Sequence, residues 1–393
     1  MRPRIEASGA VFHAFPQAAD LDLKNIETVF PELLTIPPGP EMSLFYLTRA
    51  FIDPLAAQYE GIKRVLWKFP ADVILNDNMF YGAMPMLLGP RSARPAIISC
   101  GTMFLHFGRD DGAPNFAGLP PATSDDQCRD YAAIAQLHDE IVYAPARRHI
   151  NTCLTGLGVG PLSMDPHEAV IALSDAYLQL TVPSFEFPRQ ALPDHIHFVG
   201  TLPITPNQAP MPSWASDLDG SKKVVLVTQG TVSNHDFGKL VAPTLAALAH
   251  EPDLLVVVTT GGRPVGAIPG PIPANARLAT FLPFEWLMPQ VDLLVTNGGY
   301  GSVNQALSFG IPLVTAGLTE DKADVNARVT WSGVGINLMT NEPGPEDLRQ
   351  AVRAVFENPA YRDRACAMAQ EFASIDTRAE ILRIIGQCAR SLR

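Results

Sequence analysis

Residues 291–310 read VDLLVTNGGYGSVNQALSFG. After Val291-Asp292, the run Leu293-Leu294-Val295-Thr296 is apolar and β-branched and predicts a buried strand ending at Thr296. Asn297-Gly298-Gly299-Tyr300-Gly301-Ser302 then turns the chain into a helix that Gly310 can terminate. Glycines let backbone approach a ligand closely and adopt positive φ. The free N–H groups and positive dipole end of the following helix favour a phosphate there. A tight strand-to-helix turn with no ligand would share the same local sequence. A dinucleotide fingerprint fits less well, because its third glycine would fall where Asn304 stands.

Outward from this turn, short β-branched runs alternate with stretches of helical period, the pattern of parallel sheets covered by helices. Strands are predicted at 72–75, 96–99, 224–228, 254–259, 292–296 and 313–316, with helices at 303–309 and 345–356. The fold class is α/β. At 393 residues the chain exceeds what one core of roughly 250–300 residues supports, so two domains are expected. The break falls in TPNQAPMPSWASDLDG, residues 205–220, whose three prolines and Ser/Asp/Gly-rich end read as a linker. Residues 1–205, 206–220 and 221–393 are thus a first domain, a linker and a second domain. Each domain is expected to be doubly wound, with ligand at the carboxyl ends of its strands.

Composition excludes several classes. A net charge of −11 argues against nucleic acid or an anionic membrane as partner, but not against a phosphorylated small molecule held by backbone amides. Five scattered cysteines without Cys-x-x-Cys spacing fit reduced thiols and a cytoplasmic location. No apolar run reaches the roughly 18 residues of a membrane span, so no integral membrane association is expected.

The segment FLPFEWLMPQVDLLVTNGGYGSVNQALSFGIPLVTAGLTEDKADVNARVTWSGVGINL, residues 281–338, resembles the nucleotide-sugar glycosyltransferase family that includes plant secondary-metabolite glucosyltransferases and bacterial macrolide glycosyltransferases. The likeness extends more weakly over most of the chain. It implies the GT-B fold, two Rossmann-like domains facing each other across a cleft, with acceptor in the first and donor in the second. It implies that Phe281 stacks on uracil or thymine, that the Leu282 backbone reads the base edge and that Gln305 holds the ribose. Thr228, Gly230 and Thr231 would lie near the diphosphate, Gly299, Tyr300, Gly301 and Ser302 would bind it with backbone amides and a hydroxyl, and Asp321 would accept hydrogen bonds from sugar hydroxyls. Three positions depart from the family pattern: Asn297 replaces a histidine, Gln305 a glutamate and Lys322 a glutamine. Lys322 brings a cation that could recover the charge lost at Asn297, and the donor stays open between UDP- and dTDP-sugars.

Transfer needs a base for the acceptor hydroxyl and stabilisation of the leaving diphosphate. The turn at 297–302 suits the second need, so no cofactor or metal is expected. The Asp-x-Asp strings Asp20-Leu21-Asp22 and Asp217-Leu218-Asp219 are read as chance. For the base, the resemblance implies a histidine polarised by an aspartate, which Asp77 matches; a helix-capping role is its rival. The histidine itself has no counterpart in the chain, and the first domain is expected to be incomplete at its start. His13 stands in the wrong context, His106 could line the acceptor cleft, and His235 lies close to the VTQGT loop. Phe80, Met84, Phe104 and Phe107 suggest an apolar small-molecule acceptor. The expected activity is inverting, metal-independent hexosyl transfer; a non-catalytic nucleotide-binding activator and a sugar-nucleotide epimerase are the alternatives.

Overall fold

The computed structural model describes residues 2–37, 39–205 and 209–390. Its strands form two sheets, parallel throughout. The first holds β1 (Val73–Asp77), β2 (Ala96–Gly101), β3 (Ala176–Gln179) and β4 (Ile196–Phe198), in the order β1-β2-β3-β4. The second holds β5 (Lys223–Thr228), β6 (Leu254–Thr259), β7 (Ala276–Ala279), β8 (Leu293–Thr296), β9 (Leu313–Thr315) and β10 (Gly335–Asn337). Its order is β10-β9-β8-β5-β6-β7. Strands β5 and β8 are neighbours, with Thr228 opposite Thr296, and from this pair the chain winds outward in both directions.

The second sheet explains why its strands read as unbroken apolar runs. Side chains alternate across a sheet, so both faces must be covered for both sets to be buried. Val224, Leu226, Leu255, Val257, Leu294 and Leu313 pack into one core with the helix Tyr300–Ser308. Val225, Val227, Leu254, Val256, Val258, Leu293 and Val295 pack into the other, with the helices Val241–Leu248 and Pro345–Glu357.

The first sheet is covered differently. Ile97 faces the helices Ala144–Gly156 and Pro166–Leu173, whereas Ile98, Ala176, Leu178 and Val199 pack on Ile384. Ile384 belongs to Thr377–Arg390, a helix from the far end of the chain. The second domain expected over 221–393 therefore gives its last helix back to the first sheet. The expected linker also differs. Residues 206–208 lie outside the described ones, but Trp214 packs on the core that holds Val224 and Leu226, and Asp217 pairs with Arg277 at 2.5 Å, which straps this segment down.

The carboxyl ends of the two sheets meet. Gln179 at the end of β3 donates from Nε2 to Tyr300 Oη (2.5 Å), and Thr181 Oγ1 donates to Asn304 Oδ1 (2.5 Å). Between them Arg328, fully buried, donates from Nε to Glu186 Oε2 (2.8 Å) and from Nη1 to the Asp324 carbonyl (3.0 Å). Its guanidinium lies over the rings of Phe187 (4.1 Å) and Phe104 (4.6 Å). A charge this deep is tolerable only when paired and hydrogen-bonded, and Glu186 from the first domain supplies the partner. Phe104 and Met84 are core residues, at 0% and 1% exposure, so they do not line a cleft as expected.

Candidate functional site

The point where β5 and β8 adjoin is where strand order reverses, and at such points the loops leaving the carboxyl ends splay apart to leave a crevice. Both loops are the ones singled out in the sequence. After β5, Thr228 Oγ1 accepts from the Gly230 amide at 3.1 Å, and Gly230 sits at φ +71°. Thr231 beyond it is exposed. After β8, Gly298 adopts φ +96°, and a Cβ there would come within 1.9 Å of Asn326 Oδ1, so only glycine fits. Gly299 is the residue before the helix Tyr300–Ser308, and neither it nor Gly301 has any atom near the place of a missing Cβ. The amino end of that helix is therefore open to an anion. Ser302 and Gln305 are half-buried on its first turns.

Asn297, one of the expected ligands, plays another part, and Tyr300 keeps to the turn only the backbone amide expected of it. Tyr300 turns its side chain away from the loop into the domain interface, where it meets Gln179 and Glu186; only its backbone belongs to the turn. Asn297 directs Nδ2 at the carbonyls of Gln229 (3.2 Å) and Ser233 (3.4 Å), tying the β8 loop to the β5 loop instead of leaving its amide free.

Asp321 and Lys322 begin the helix that follows β9. Asp321 makes no capping hydrogen bond to that helix, and burial, aided by the negative charge of Asp324, pushes its carboxyl up to about 6. Lys322 is 5% exposed, and its Nζ lies 3.3 Å from Ser233 Oγ and 3.4 Å from Thr319 Oγ1, with an ion pair to Glu320. Burial pushes this ammonium down to about 8. At the other end, Phe281 follows β7. It is 50% exposed, and a Cβ on Gly262 would come within 2.9 Å of its Cζ, so that glycine makes room for the ring. Leu282 beside it is buried.

Residues that the sequence reading passed over complete the rim. Arg263, after Gly261-Gly262 at the end of β6, bonds Asn234 Oδ1 (2.9 Å) and His235 Nδ1 (2.6 Å). A glycine pair and a cation directly after a strand was a legible signal. Asn326 donates to the carbonyls of Gly317 (2.9 Å) and Asn297 (3.3 Å), bracing the β8 and β9 loops, and nothing local in the sequence marks it.

In the first domain Asp77 ends β1. Its Oδ1 accepts from the Met79 amide (2.8 Å) and its Oδ2 from Thr102 Oγ1 (3.2 Å), so it holds the turn after β1 and does not cap a helix as its rival reading expected. His13 is exposed and far from any strand in sequence. Of the Asp-x-Asp strings, Asp217 pairs with Arg277 and Asp219 accepts from Ser221 N (2.9 Å). Among the described residues no group of three or more His, Cys, Asp or Glu is placed to hold a metal ion. No helix among them is long and apolar enough to cross a membrane.

The chain is similar to known proteins. The family model described as "Erythromycin biosynthesis protein CIII-like, C-terminal domain" matches residues 244–387. The chain is 37% identical to 4'-demethylrebeccamycin synthase of Lentzea aerocolonigenes, covering 98% of this chain and 89% of that one. It is 35% identical to UDP-glycosyltransferase 2 of Phaeomoniella chlamydospora, covering 99% and 87%. Among solved structures, the glycotransferase of kitacinnamycin superposes with a TM-score of 0.70 at 19% identity, covering 98% of this chain and 89% of that one.

Proposed function

Because the chain belongs to the nucleotide-sugar glycosyltransferase family of UDP-glucosyltransferases and macrolide glycosyltransferases, with its GT-B fold, we propose that it transfers a hexose from a UDP- or dTDP-sugar to a hydroxyl of a small apolar acceptor, with inversion and without a metal. The observation that carries this reading is the order of groups along the carboxyl edge of the second sheet. Asp321 follows β9, the glycine turn follows β8, Thr228–Gly230–Thr231 follow β5, Arg263 follows β6 and Phe281 follows β7. Carboxylate, anion cradle and aromatic thus lie in the order of sugar, diphosphate and base in an extended nucleotide sugar. From β9 to β7 is four strand spacings, about 19 Å at ~4.8 Å each.

Each group has a physical task. Phe281 offers a face for the base, and the backbone of Leu282 its edge. Gln305, neutral where a carboxylate would grip two ribose hydroxyls, tolerates a deoxyribose as well. The amides at Gly299, Tyr300, Gly301 and Ser302 and the helix dipole behind them receive the diphosphate. As the bond to the anomeric carbon breaks, negative charge grows on the leaving phosphate, and the same amides with Lys322 stabilise it. These supply the positive potential that a divalent cation supplies elsewhere. Asn297 acts by locking the two loops together. Asp321 accepts from sugar hydroxyls. A single displacement, with acceptor on the first-domain side and leaving group on the second, inverts the anomeric centre.

The test is to incubate the protein with UDP-glucose or dTDP-glucose and a panel of phenols and macrolides, with and without EDTA, and to assign the product anomer by NMR. A β-glycoside formed equally in EDTA supports the reading. An α-glycoside, or activity abolished by EDTA and restored by Mn²⁺, overturns the mechanism.

A further inference from the structure

Arg263 follows Gly261-Gly262 at the end of β6, a strand that lies between β5 and β7 in the second sheet. Its loop touches the loops of both neighbours. Gly261 adopts φ +62°, and a Cβ there would come within 2.1 Å of the Gly230 carbonyl oxygen, so only glycine lets the β6 loop close on the β5 loop. On the other side Gly262, at φ +104°, abuts the ring of Phe281 after β7. Asn234 fastens the first junction, because its Nδ2 donates to the carbonyls of Gly230 (3.0 Å) and Thr260 (2.8 Å). The backbone of Arg263 is thus fixed between the aromatic at 281 and the loop at 228–231.

The charge at this point has no counter-ion. Arg263 is half-buried; its Nε donates to Asn234 Oδ1 (2.9 Å) and its Nη2 to His235 Nδ1 (2.6 Å), and neither acceptor carries a negative charge. Among the described residues Nη1 has no hydrogen-bond partner, and no carboxylate lies within ion-pair distance of this guanidinium. Lys322, the cation at the β9 end of the site, is by contrast already paired with Glu320. From the first domain, residues 25–28 line with His235 a cavity of about 90 Å³, so the Arg263–His235 pair stands at the cleft between the domains. Glu27, which is exposed, is the acidic residue of that lining.

We propose that Arg263 binds the α-phosphate of the donor nucleotide, so that it and Lys322 bracket the diphosphate from opposite ends. This rests on the nucleotide-sugar reading above. The α-phosphate is the one next to the ribose. With the base on Phe281 and the β-phosphate at the glycine turn after β8, it falls on the base side of the β5 loop, where β6 delivers Arg263. Nη1 and Nη2 donate to two phosphate oxygens, and the Nε bond to Asn234 holds the plane of the guanidinium. A planar fork matches two oxygens of one phosphate, which a lysine ammonium does not. The Nη2 bond to neutral His235 gives way to a charge-assisted one, so the exchange favours the ligand. Asn234 is a positioning residue in this account. Because the α-phosphate is common to the mono- and diphosphate, Arg263 makes the site select a nucleotide over a nucleoside. It also brings in, from β6, a cation that the amide of Asn297 cannot supply.

The experiment measures binding of uridine, UMP and UDP, and of thymidine, dTMP and dTDP, to the intact wild type, Arg263→Gln and Arg263→Lys. Calorimetry serves for the nucleotides and NMR titration for the weaker nucleosides. Arg263→Gln should weaken the mono- and diphosphate alike by about 10–100-fold, the loss of a charge-assisted hydrogen bond, and leave the nucleoside within about twofold. Its affinity for the monophosphate should also depend less on salt than that of the wild type, which a purely structural role would not produce. Arg263→Lys, which keeps the charge but not the fork, should recover part of the loss. An equal loss on the nucleoside would show that Arg263 only ties the β5 and β6 loops together. A loss confined to the diphosphate would move it to the β-phosphate. Either result, no loss on any ligand, or a lysine variant no better than the glutamine one, overturns the proposal alone. A wild type that binds neither diphosphate at millimolar concentration overturns it together with the glycosyltransferase reading.

Discussion

The raised carboxyl of Asp321 makes donor binding depend on pH in a way that can be worked out in advance. Sugar hydroxyls donate to a carboxylate, so the ionised form is the one that binds. With its folded value at about 6, about nine-tenths of the sites are ionised at pH 7 and about one-tenth at pH 5. The affinity for UDP-glucose should therefore fall roughly tenfold over that interval, whereas UDP alone, which lacks the sugar, should change little. Asp321→Asn should flatten the profile and weaken UDP-glucose at pH 7 by about 1.5–3 kcal/mol, the loss of a charge-assisted hydrogen bond. The stability linkage has the opposite sign. A carboxyl whose folded value exceeds its unfolded 3.8 favours the fold below about pH 4, and that contribution is lost as pH rises through 6. The empty Asp321→Asn protein should then be more stable than wild type at pH 7, by at most about 3 kcal/mol. Isothermal calorimetry from pH 5 to 8 with both ligands, and urea unfolding of both proteins, measure these effects. Equal pH dependence for UDP and UDP-glucose would refute the assignment of Asp321 to the sugar.

Phe281 is half exposed and touches Gly262, so Phe281→Ala should leave the unfolding midpoint nearly unchanged. It should weaken UDP by about 1–3 kcal/mol, the usual worth of a base stacked on an aromatic, as read by calorimetry. Glu186→Ala removes the closer of the two carboxylates paired with the buried Arg328, leaving Asp324 at 3.4 Å, and the acceptor of the Leu105 amide at 2.9 Å. It should cost about 3–5 kcal/mol in urea unfolding, the usual penalty for stranding one member of a buried pair.

Where function and fold impose the same local pattern, the sequence was readable. The runs 224–228, 254–259 and 292–296 are buried on both faces, so they are continuous in apolar residues and their strands follow directly. Strands β3, β4, β7 and β10 were missed. They are short, and β3 carries Gln179, a polar residue buried because it crosses to Tyr300. The glycine turn was legible because Gly298 has no substitute beside Asn326. The fates of Tyr300 and Asn297 were not, because each is decided by residues more than 60 positions away, at Gln179, Gln229 and Ser233. The same holds for the return of Thr377–Arg390 to the first sheet and for the meeting of His106 with Asp165.

On the proposed function the nucleotide diphosphate lies across the carboxyl ends of β5 and β8. Amide hydrogen exchange followed by mass spectrometry, with and without saturating UDP, tests it on the intact chain. Peptides covering residues 228–235 and 297–305 should slow in exchange when UDP is present, with a smaller effect at 279–283. Protection confined to the first domain, or unchanged exchange at 297–305 under saturating UDP, would contradict it.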